Sequence, residues 1–353
     1  MEERVLSVQS HVAFGYVGGK AAAFPLQCLG YDVDLVNTVN FSNHAGYGRS
    51  GGSKTSAAEL DSIFEAMEYN ELLRPTRLLT GYIPDAEALT AVSRLAENLR
   101  KKKPELIYLL DPVMGDAGRL YVAADVVPVY RNLLPHSTII TPNWFEVEIL
   151  TEISLTSVSA LRRALIKLHK DFGVPNVAIS SIPLTPWLSE SLPSVIRPPA
   201  DSESEHLLCI TSSSISNDVQ PSEVHAQCVP LLPGYFSGVG DLFSSLVLAH
   251  YKPSNASSLS SVFPPSQMPF SDAVSQALTK THAVLSKTFE YSGLLPEEER
   301  SVTDDEKDAV EPIRKVRRMR GRELRLVQSI DIIRGDFGNS MRRLQSWSGF
   351  WEH

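Results

Sequence analysis

The stretch LIYLLDPVMGD, residues 106–116, joins a continuous apolar run to two acids and a turn. An apolar run without polar alternation favours a strand that is buried on both faces of a sheet. The predicted strand spans residues 106–111, and Pro112 keeps its last residue, Asp111, extended. Gly115 permits a tight turn before Asp116. The stretch therefore predicts a buried parallel strand with carboxylates at its carboxyl end.

Other parts of the chain repeat this strand character. Six further apolar runs are predicted strands: 4–9, 33–39, 77–80, 138–141, 177–181 and 207–211. Between them, apolar residues recur at helical spacing, as Leu60 and Phe64 do. A last long helix is predicted to begin near Ser271-Asp272. The alternation predicts one large α/β domain over residues 1–353, with a mostly parallel sheet and helices on both faces.

Composition narrows the class of protein. The chain has 353 residues, of which 43% are hydrophobic, and a net charge of −8, so bulk electrostatics do not favour nucleic acid as a partner. Its three cysteines lack the spacing of a disulfide framework or a zinc site. No apolar run approaches the roughly 20 residues of a membrane span, and the acidic start is unlike a signal peptide. We expect a cytoplasmic protein.

Three segments interrupt the α/β order. Residues 182–204 and 252–271 are rich in Ser and Pro, and are predicted to be mobile surface insertions. Residues 293–322 place acids before a basic cluster at 314–322. Such a cluster can bind nucleic acid or act as a nuclear address. We favour a solvated, partly disordered insertion, because the neighbouring acids can neutralise the bases.

Polar side chains follow the predicted strands at the sheet edge where α/β proteins bind ligands. These strand ends are Gln9–His11, Asn40–Tyr47, Thr80–Tyr82, Asp111–Asp116, Thr141–Glu146 and Ser180–Ser181. Acids at neighbouring ends suit a divalent cation together with phosphates. Singly, each acid fits a turn or the first turn of a helix equally well. His11 and His44 could contact substrate, but a structural role is favoured for both.

The second deciding stretch is GYFSGVGDLFSSL, residues 234–246. Gly238 and Gly240 allow backbone amides to point at a phosphoryl group ahead of a helix. Asp241 cannot bind phosphate but can accept a proton from a substrate hydroxyl. The sequence lacks the spacing of a Walker loop. It also lacks a GxGxxG motif after the first strand, and this disfavours a nicotinamide dehydrogenase. The pair predicts phosphoryl transfer.

Together these residues resemble the pyridoxal kinases of the ribokinase-like superfamily, in particular fungal or other eukaryotic members. The matching stretches are VLSVQSHV (5–12), FPLQ (24–27), NFSNHAGY (40–47), LTGY (79–82), DPVMGD (111–116), LYV (120–122), ITPN (140–143), GVGDLF (238–243) and ELRLVQS (323–329). The resemblance covers nearly the whole chain apart from the insertions. It implies ATP-dependent phosphorylation of the 5′-hydroxymethyl group of pyridoxal, pyridoxine or pyridoxamine in vitamin B6 salvage.

The resemblance also implies roles for single residues. Asp241 would be the base, and Gly238, Val239 and Gly240 the anion hole. Vitamer contacts would be Ser10, Ala45, Tyr82, Gly238 and Asp241. Nucleotide contacts would be Asp111, Asn143, Glu146, Ser180, Ser181, Leu232, Pro233, Gly234 and Val239. The metal side would be Asp111, Asp116, Thr141 and Glu146, and the covering loop would run from Gly115 through Asp116 to Tyr121. The family implies Mg²⁺, a monovalent cation (K⁺) and a homodimer.

Three departures from the family pattern stand out. Ala45 and Val239 each replace a threonine that is common among the relatives, which removes two hydroxyl groups from the site. The covering loop after Asp116 is shorter than in animal members. None of these departures removes the proposed base or the acids.

Two alternatives stay open. Another small-molecule kinase of this fold would act on hydroxymethylpyrimidine or a sugar. A non-catalytic regulatory protein would use the basic cluster 314–322 to contact a partner or nucleic acid, but Asp241 would then have no function.

Overall fold

The computed structural model describes residues 3–116, 118–199, 205–214, 223–253 and 269–352. Its strands are β1 Arg4–Val12, β2 Asp32–Phe41, β3 Gly52–Lys54, β4 Arg77–Thr80, β5 Ile107–Leu110, β6 Gly115–Asp116, β7 Arg119–Leu120, β8 Ile139–Ile140, β9 Asn176–Pro183, β10 His206–Ser213, β11 His225–Pro230 and β12 Gln345–Ser346. Its helices are α1 Gly18–Cys28, α2 Ala57–Tyr69, α3 Ala86–Lys102, α4 Val126–Leu133, α5 Trp144–Thr151, α6 Val158–Ile166, α7 Pro186–Ser191, α8 Val239–His250, α9 Pro269–Gly293, α10 Asp305–Val310, α11 Pro312–Gly321 and α12 Ile330–Arg334.

One sheet organises the fold. Within the described residues it has ten strands in the order β12-β11-β10-β9-β8-β5-β4-β1-β2-β3. The six central strands from β9 to β2 are parallel. The strands at both edges are antiparallel. The predicted α/β fold with a mostly parallel sheet is therefore confirmed.

Successive strand residues point to opposite sides of the sheet, and an apolar core covers each side. Leu78 joins one apolar core and Leu79 the other. Helices α2 to α7 cover the first face, and α1, α8 and α9 cover the second. Among the described residues, no helix combines the length and the apolar run that crossing a bilayer requires.

All seven predicted strands are present, with ends shifted by up to three residues. Strands β3, β11 and β12 and the β6–β7 hairpin were not predicted, because they are short or lack continuous apolar runs. The last long helix, α9, begins at Pro269. Ser271 and Asp272 therefore lie in its first turn instead of preceding it.

The predicted insertions differ from expectation where they are described. In 182–199, Leu188, Leu192 and Ile196 are buried in the core, so this part is more than a surface loop. Residues 200–204 and 254–268 lie outside the described residues.

The charged segment 293–322 contains helices α10 and α11. Asp308 and Arg318 form an ion pair there and are 8% and 3% exposed. The expectation of a solvated segment is wrong for these two residues, because each charge is buried against its partner. The mobility of the segment stays a prediction.

Candidate active site

The glycine turn before α8 has a backbone that only glycine accepts at its first position. Gly238 has φ +82° and ψ 4°, in the left-handed region. A Cβ atom added there would lie 2.0 Å from the carbonyl oxygen of Tyr16. Because the first backbone N–H groups of a helix have no partner within the helix, the turn presents free donors to an anion. The residues of the predicted anion hole, Gly238, Val239 and Gly240, therefore lie at the start of α8.

Asp241 lies in the first turn of α8 and is partly buried. Its Oδ2 accepts a hydrogen bond from the backbone amide of Gly18 at 2.8 Å. Burial raises the pKa of Asp241, and the hydrogen bond from Gly18 limits the rise. Gly18 in turn packs against Ser10, since a Cβ atom at Gly18 would lie 2.2 Å from Ser10 Oγ. The predicted base and the predicted vitamer contact Ser10 are therefore joined through Gly18.

Asp111 is buried at the end of β5 and faces the same turn. Its Oδ2 would be 4.0 Å from a Cβ atom added at Gly240. Burial and the negative charge of Asp241 raise the pKa of Asp111 to about 7. Ser244 Oγ donates to Asp111 Oδ2 at 2.7 Å, and Thr141 Oγ1 lies 3.0 Å from Ser244 Oγ.

Ser244 is a site residue that sequence reasoning missed. It follows Asp241 by three positions on α8, so both side chains lie on one helical face. That spacing was a signal available in the sequence. The Ser244 hydroxyl connects Asp111 to Thr141 by hydrogen bonds, although these two residues lie at the ends of different strands.

Glu146 holds the backbone instead of presenting a free carboxylate. Its Oε1 accepts from the amide of Met114 and its Oε2 from the amide of Asn143, both at 2.9 Å. Asn143 and Glu146 form a capping box at the start of α5. Burial and the charge of Asp111 raise the pKa of Glu146 well above its usual value, although the backbone hydrogen bonds oppose this.

The predicted metal side is therefore not one cluster of acids. Among the described residues, no group of three or more His, Cys, Asp or Glu side chains could hold a metal. Asp111 remains as the carboxylate facing the glycine turn. One carboxylate is compatible with Mg²⁺, which keeps several waters and binds substrate phosphates.

The predicted covering loop is a hairpin formed by β6 and β7. Asn143 Nδ2 donates to the carbonyl oxygen of Gly115 at 2.8 Å, and the amide of Tyr121 donates to the carbonyl oxygen of Met114 at 2.8 Å. Asn143 and Glu146 thus anchor the base of the loop, while Tyr121 is half exposed. Residue 117 lies outside the described residues.

A cavity of about 240 Å³ lies beside the glycine turn. Its lining includes Asp116, Leu232, Gly234 and Val239, all predicted site residues. Apolar residues outside the predicted site also line the cavity, among them Leu207, Val229, Leu278 and Leu285. Pro233 is exposed next to the cavity lining. Ser180 and Ser181 are half-buried on β9, with their hydroxyl oxygens 3.5 Å apart.

The predicted vitamer contacts Tyr82 and Ala45 lie in separate surroundings. Tyr82 is half-buried and packs against the core, with its pKa raised by burial and by Asp85. Ala45 is exposed in a short helical turn, Ala45–Tyr47. His44 Nε2 lies 3.0 Å from Glu323 Oε1, which fits the structural role favoured for this histidine.

Comparisons with known proteins extend over most of the chain. Residues 54–186 match the family model described as phosphomethylpyrimidine kinase. The chain is 35% identical over 299 residues to a Schizosaccharomyces pombe protein assigned as a pyridoxal kinase, covering 84% of this chain and 89% of that protein. It is 36% identical over 266 residues to the pyridoxal kinase of Homo sapiens, covering 72% and 80% of the two chains.

A similar solved structure is the pyridoxal kinase of Leishmania donovani in complex with ADP and pyridoxamine. The TM-score is 0.76 at 29% identity, covering 98% of this chain and 99% of that one. The likeness in fold therefore extends over nearly the whole chain.

Proposed function

The chain belongs to the pyridoxal kinases, a family of phosphotransferases, and from that premise we propose its reaction and its catalytic residues. It transfers the γ-phosphoryl group of ATP to the 5′-hydroxymethyl group of pyridoxal, pyridoxine or pyridoxamine. One observation carries the proposal: the partly buried carboxylate of Asp241 lies beside a glycine turn that offers backbone amides to an anion.

Asp241 acts as the base in this proposal. A general base works best when its pKa lies near the working pH, and burial moves the pKa of Asp241 in that direction. The amide of Gly18 fixes Oδ2, which leaves Oδ1 to accept the proton of the substrate hydroxyl. Fixing one oxygen also orients the carboxylate toward the attacking group.

The turn at Gly238 to Gly240 stabilises the charge that develops on the transferred phosphoryl group. Three features support this: the free amides at the start of α8, the helix dipole behind them, and the absence of a side chain at Gly238. Val239 supplies no hydroxyl, so the backbone amides carry this role.

The two substrates enter from opposite sides of the turn. ATP lies on the side of the 240 Å³ cavity lined by Leu232, Gly234 and Val239. The vitamer lies on the side of Ser10, which packs against Gly18. The Leishmania relative was solved with ADP and pyridoxamine, which supports the binding of a nucleotide and a vitamer by one chain.

Asp111 is the residue that would hold Mg²⁺. Two carboxylates that face each other from β5 and α8 suit a nearby cation, and the charge of Asp241 already raises the pKa of Asp111. When bound, Mg²⁺ neutralises charge on the phosphates. Glu146 acts through the covering loop instead, because both of its oxygens accept backbone amides. The K⁺ site and the homodimer rest on family membership alone.

A substrate panel tests the reaction. The purified protein, with ATP, Mg²⁺ and K⁺, is assayed with pyridoxal, pyridoxine, pyridoxamine, a hydroxymethylpyrimidine and a sugar. We expect kcat/KM to be highest for a B6 vitamer, and to fall when K⁺ is replaced by a bulky organic cation. Preferential turnover of the sugar would contradict the proposal.

A second candidate function is hydroxymethylpyrimidine kinase. The family model that matches residues 54–186 favours it, because both substrates present a hydroxymethyl group on a flat nitrogen ring. The substrate panel decides between the two candidates. A kcat/KM for the hydroxymethylpyrimidine above that for every vitamer supports the second candidate.

A further inference from the structure

Glu323 lies where three segments of the chain meet beside the active site. Its carboxylate is 12% exposed. Oε2 accepts from the backbone amide of Tyr16 at 2.9 Å. Oε1 accepts from the hydroxyl of Tyr47 at 2.7 Å and lies 3.0 Å from His44 Nε2. Burial opposes ionisation, but these hydrogen bonds outweigh it and lower the pKa of Glu323.

The first arm of this network leads to the base. The amide of Tyr16 is hydrogen-bonded to Glu323. The carbonyl oxygen of Tyr16 occupies the space that a side chain at Gly238 would need. Two residues later, the amide of Gly18 donates to Asp241. Residues 16–18 therefore lie between the Glu323 carboxylate and the glycine turn.

The second arm leads to the turn through His44. The amide of Gly46 donates to His44 Nδ1 at 3.2 Å, so Nδ1 is unprotonated and Nε2 carries the hydrogen that Glu323 accepts. Ser237 Oγ lies 3.3 Å from the same Nδ1. Ser237 directly precedes Gly238, so the network reaches the turn from both sides.

We propose that Glu323 is a positioning residue for phosphoryl transfer, which holds residues 16–18 and His44 so that Asp241 and the Gly238 turn keep their relative placement. The inference rests on the proposed role of Asp241. It also gives a function to the C-terminal stretch ELRLVQS, whose place in the site the sequence left unexplained.

A carboxylate is needed at position 323 because all of its neighbours are donors. Oε1 accepts hydrogen bonds from Tyr47 and His44, and Oε2 accepts one from the amide of Tyr16. Glutamine offers one acceptor oxygen and one amide group, so it places a donor against a donor on one side. Glu323→Gln is therefore expected to loosen one arm while it keeps the size of the side chain.

A double-mutant cycle tests the inference, with Glu323→Gln, Asp241→Asn and the double variant. Alone, Glu323→Gln should lower kcat for pyridoxal about ten- to a hundredfold, since small misplacements in a site have effects of that size, and should leave KM for ATP within about twofold. In the Asp241→Asn background the same change should lower kcat less than about twofold, because residues that act as a unit are not additive.

Matched controls separate a positioning role from a structural one. Glu68→Gln changes a glutamate that pairs with Lys102 between α2 and α3, and should leave kcat unchanged. Tyr47→Phe removes one hydrogen-bond donor of the network. It replaces Glu323→Gln as the test variant if Glu323→Gln does not fold. Full additivity of Glu323→Gln and Asp241→Asn, or an unchanged kcat in folded Glu323→Gln, would overturn the inference alone. An unimpaired Asp241→Asn would overturn the proposed base as well.

Discussion

At the scale of single residues, the site depends on positions where the backbone itself contacts a neighbour. Gly238 is held in the left-handed region against Tyr16, and Gly18 donates its amide to Asp241. Side chains at either glycine would displace a contact that orients the base. The chemistry of the site therefore rests on glycine as much as on the carboxylates.

Gly238→Ala tests this dependence against Gly30→Ala. Both glycines have positive φ, +82° and +90°, but only Gly238 has an atom within 4 Å of the added Cβ. Gly30→Ala should lose about 1–2 kcal/mol of unfolding free energy from backbone strain and keep its turnover. Gly238→Ala should lose at least as much stability, and its kcat should fall at least tenfold because the Tyr16 carbonyl must move.

Urea unfolding and steady-state kinetics on the two variants give this comparison. Wild-type turnover by Gly238→Ala would show that the turn tolerates displacement, and would contradict the tight placement described here.

At the scale of elements, the sequence predicted the strands better than the contacts at their ends. Continuous apolar runs such as 106–111 mark buried strands without knowledge of their neighbours. The positions of Asp111 and Asp241 follow from such runs and from the glycine turn. The resemblance places Glu146 on the metal side. Its capping box with Asn143 follows a local spacing, but its hydrogen bond from the Met114 amide, 32 residues away, is visible in no local pattern. The contacts of Ser244 with Asp111 and of Glu323 with Tyr47 join residues more than 100 positions apart in sequence, so they follow only from the tertiary structure.

Helices α10 and α11 are held by a buried ion pair. Asp308 accepts from Arg318 Nη1 at 3.2 Å, and removing one partner leaves the other charge buried, at a cost of about 3 kcal/mol or more. Arg318→Ala should therefore lower the unfolding free energy far more than Arg320→Ala, whose side chain is 54% exposed and pairs with Glu299. Exposed pairs contribute about 1 kcal/mol or less.

Denaturant unfolding of both variants measures the difference. Equal losses of stability in Arg318→Ala and Arg320→Ala would show that the Asp308–Arg318 pair contributes no more than an exposed pair, and would contradict its burial as a source of stability.

At the scale of the whole molecule, the parallel sheet gathers distant residues at one edge. Ser10 lies near the end of β1, Asp111 follows β5 and Thr141 follows β8, while α8 brings Asp241 onto the same edge. The C-terminal segment then returns to place Glu323 behind the first loop. Fold, glycine turn and family membership all point to one reaction, transfer of a phosphoryl group to a B6 vitamer.

The central claim is that Asp241 is the base of that reaction. The most direct measurement is the rate of pyridoxal 5′-phosphate formation by wild type and Asp241→Asn at saturating ATP and pyridoxal, with ATP affinity measured by calorimetry. Asp272→Asn is the control, since Asp272 occupies the first turn of α9 away from the site. We predict a loss of about 10²- to 10⁴-fold in kcat for Asp241→Asn with ATP affinity retained, and no loss for the control. Comparable turnover by Asp241→Asn and wild type would contradict the account.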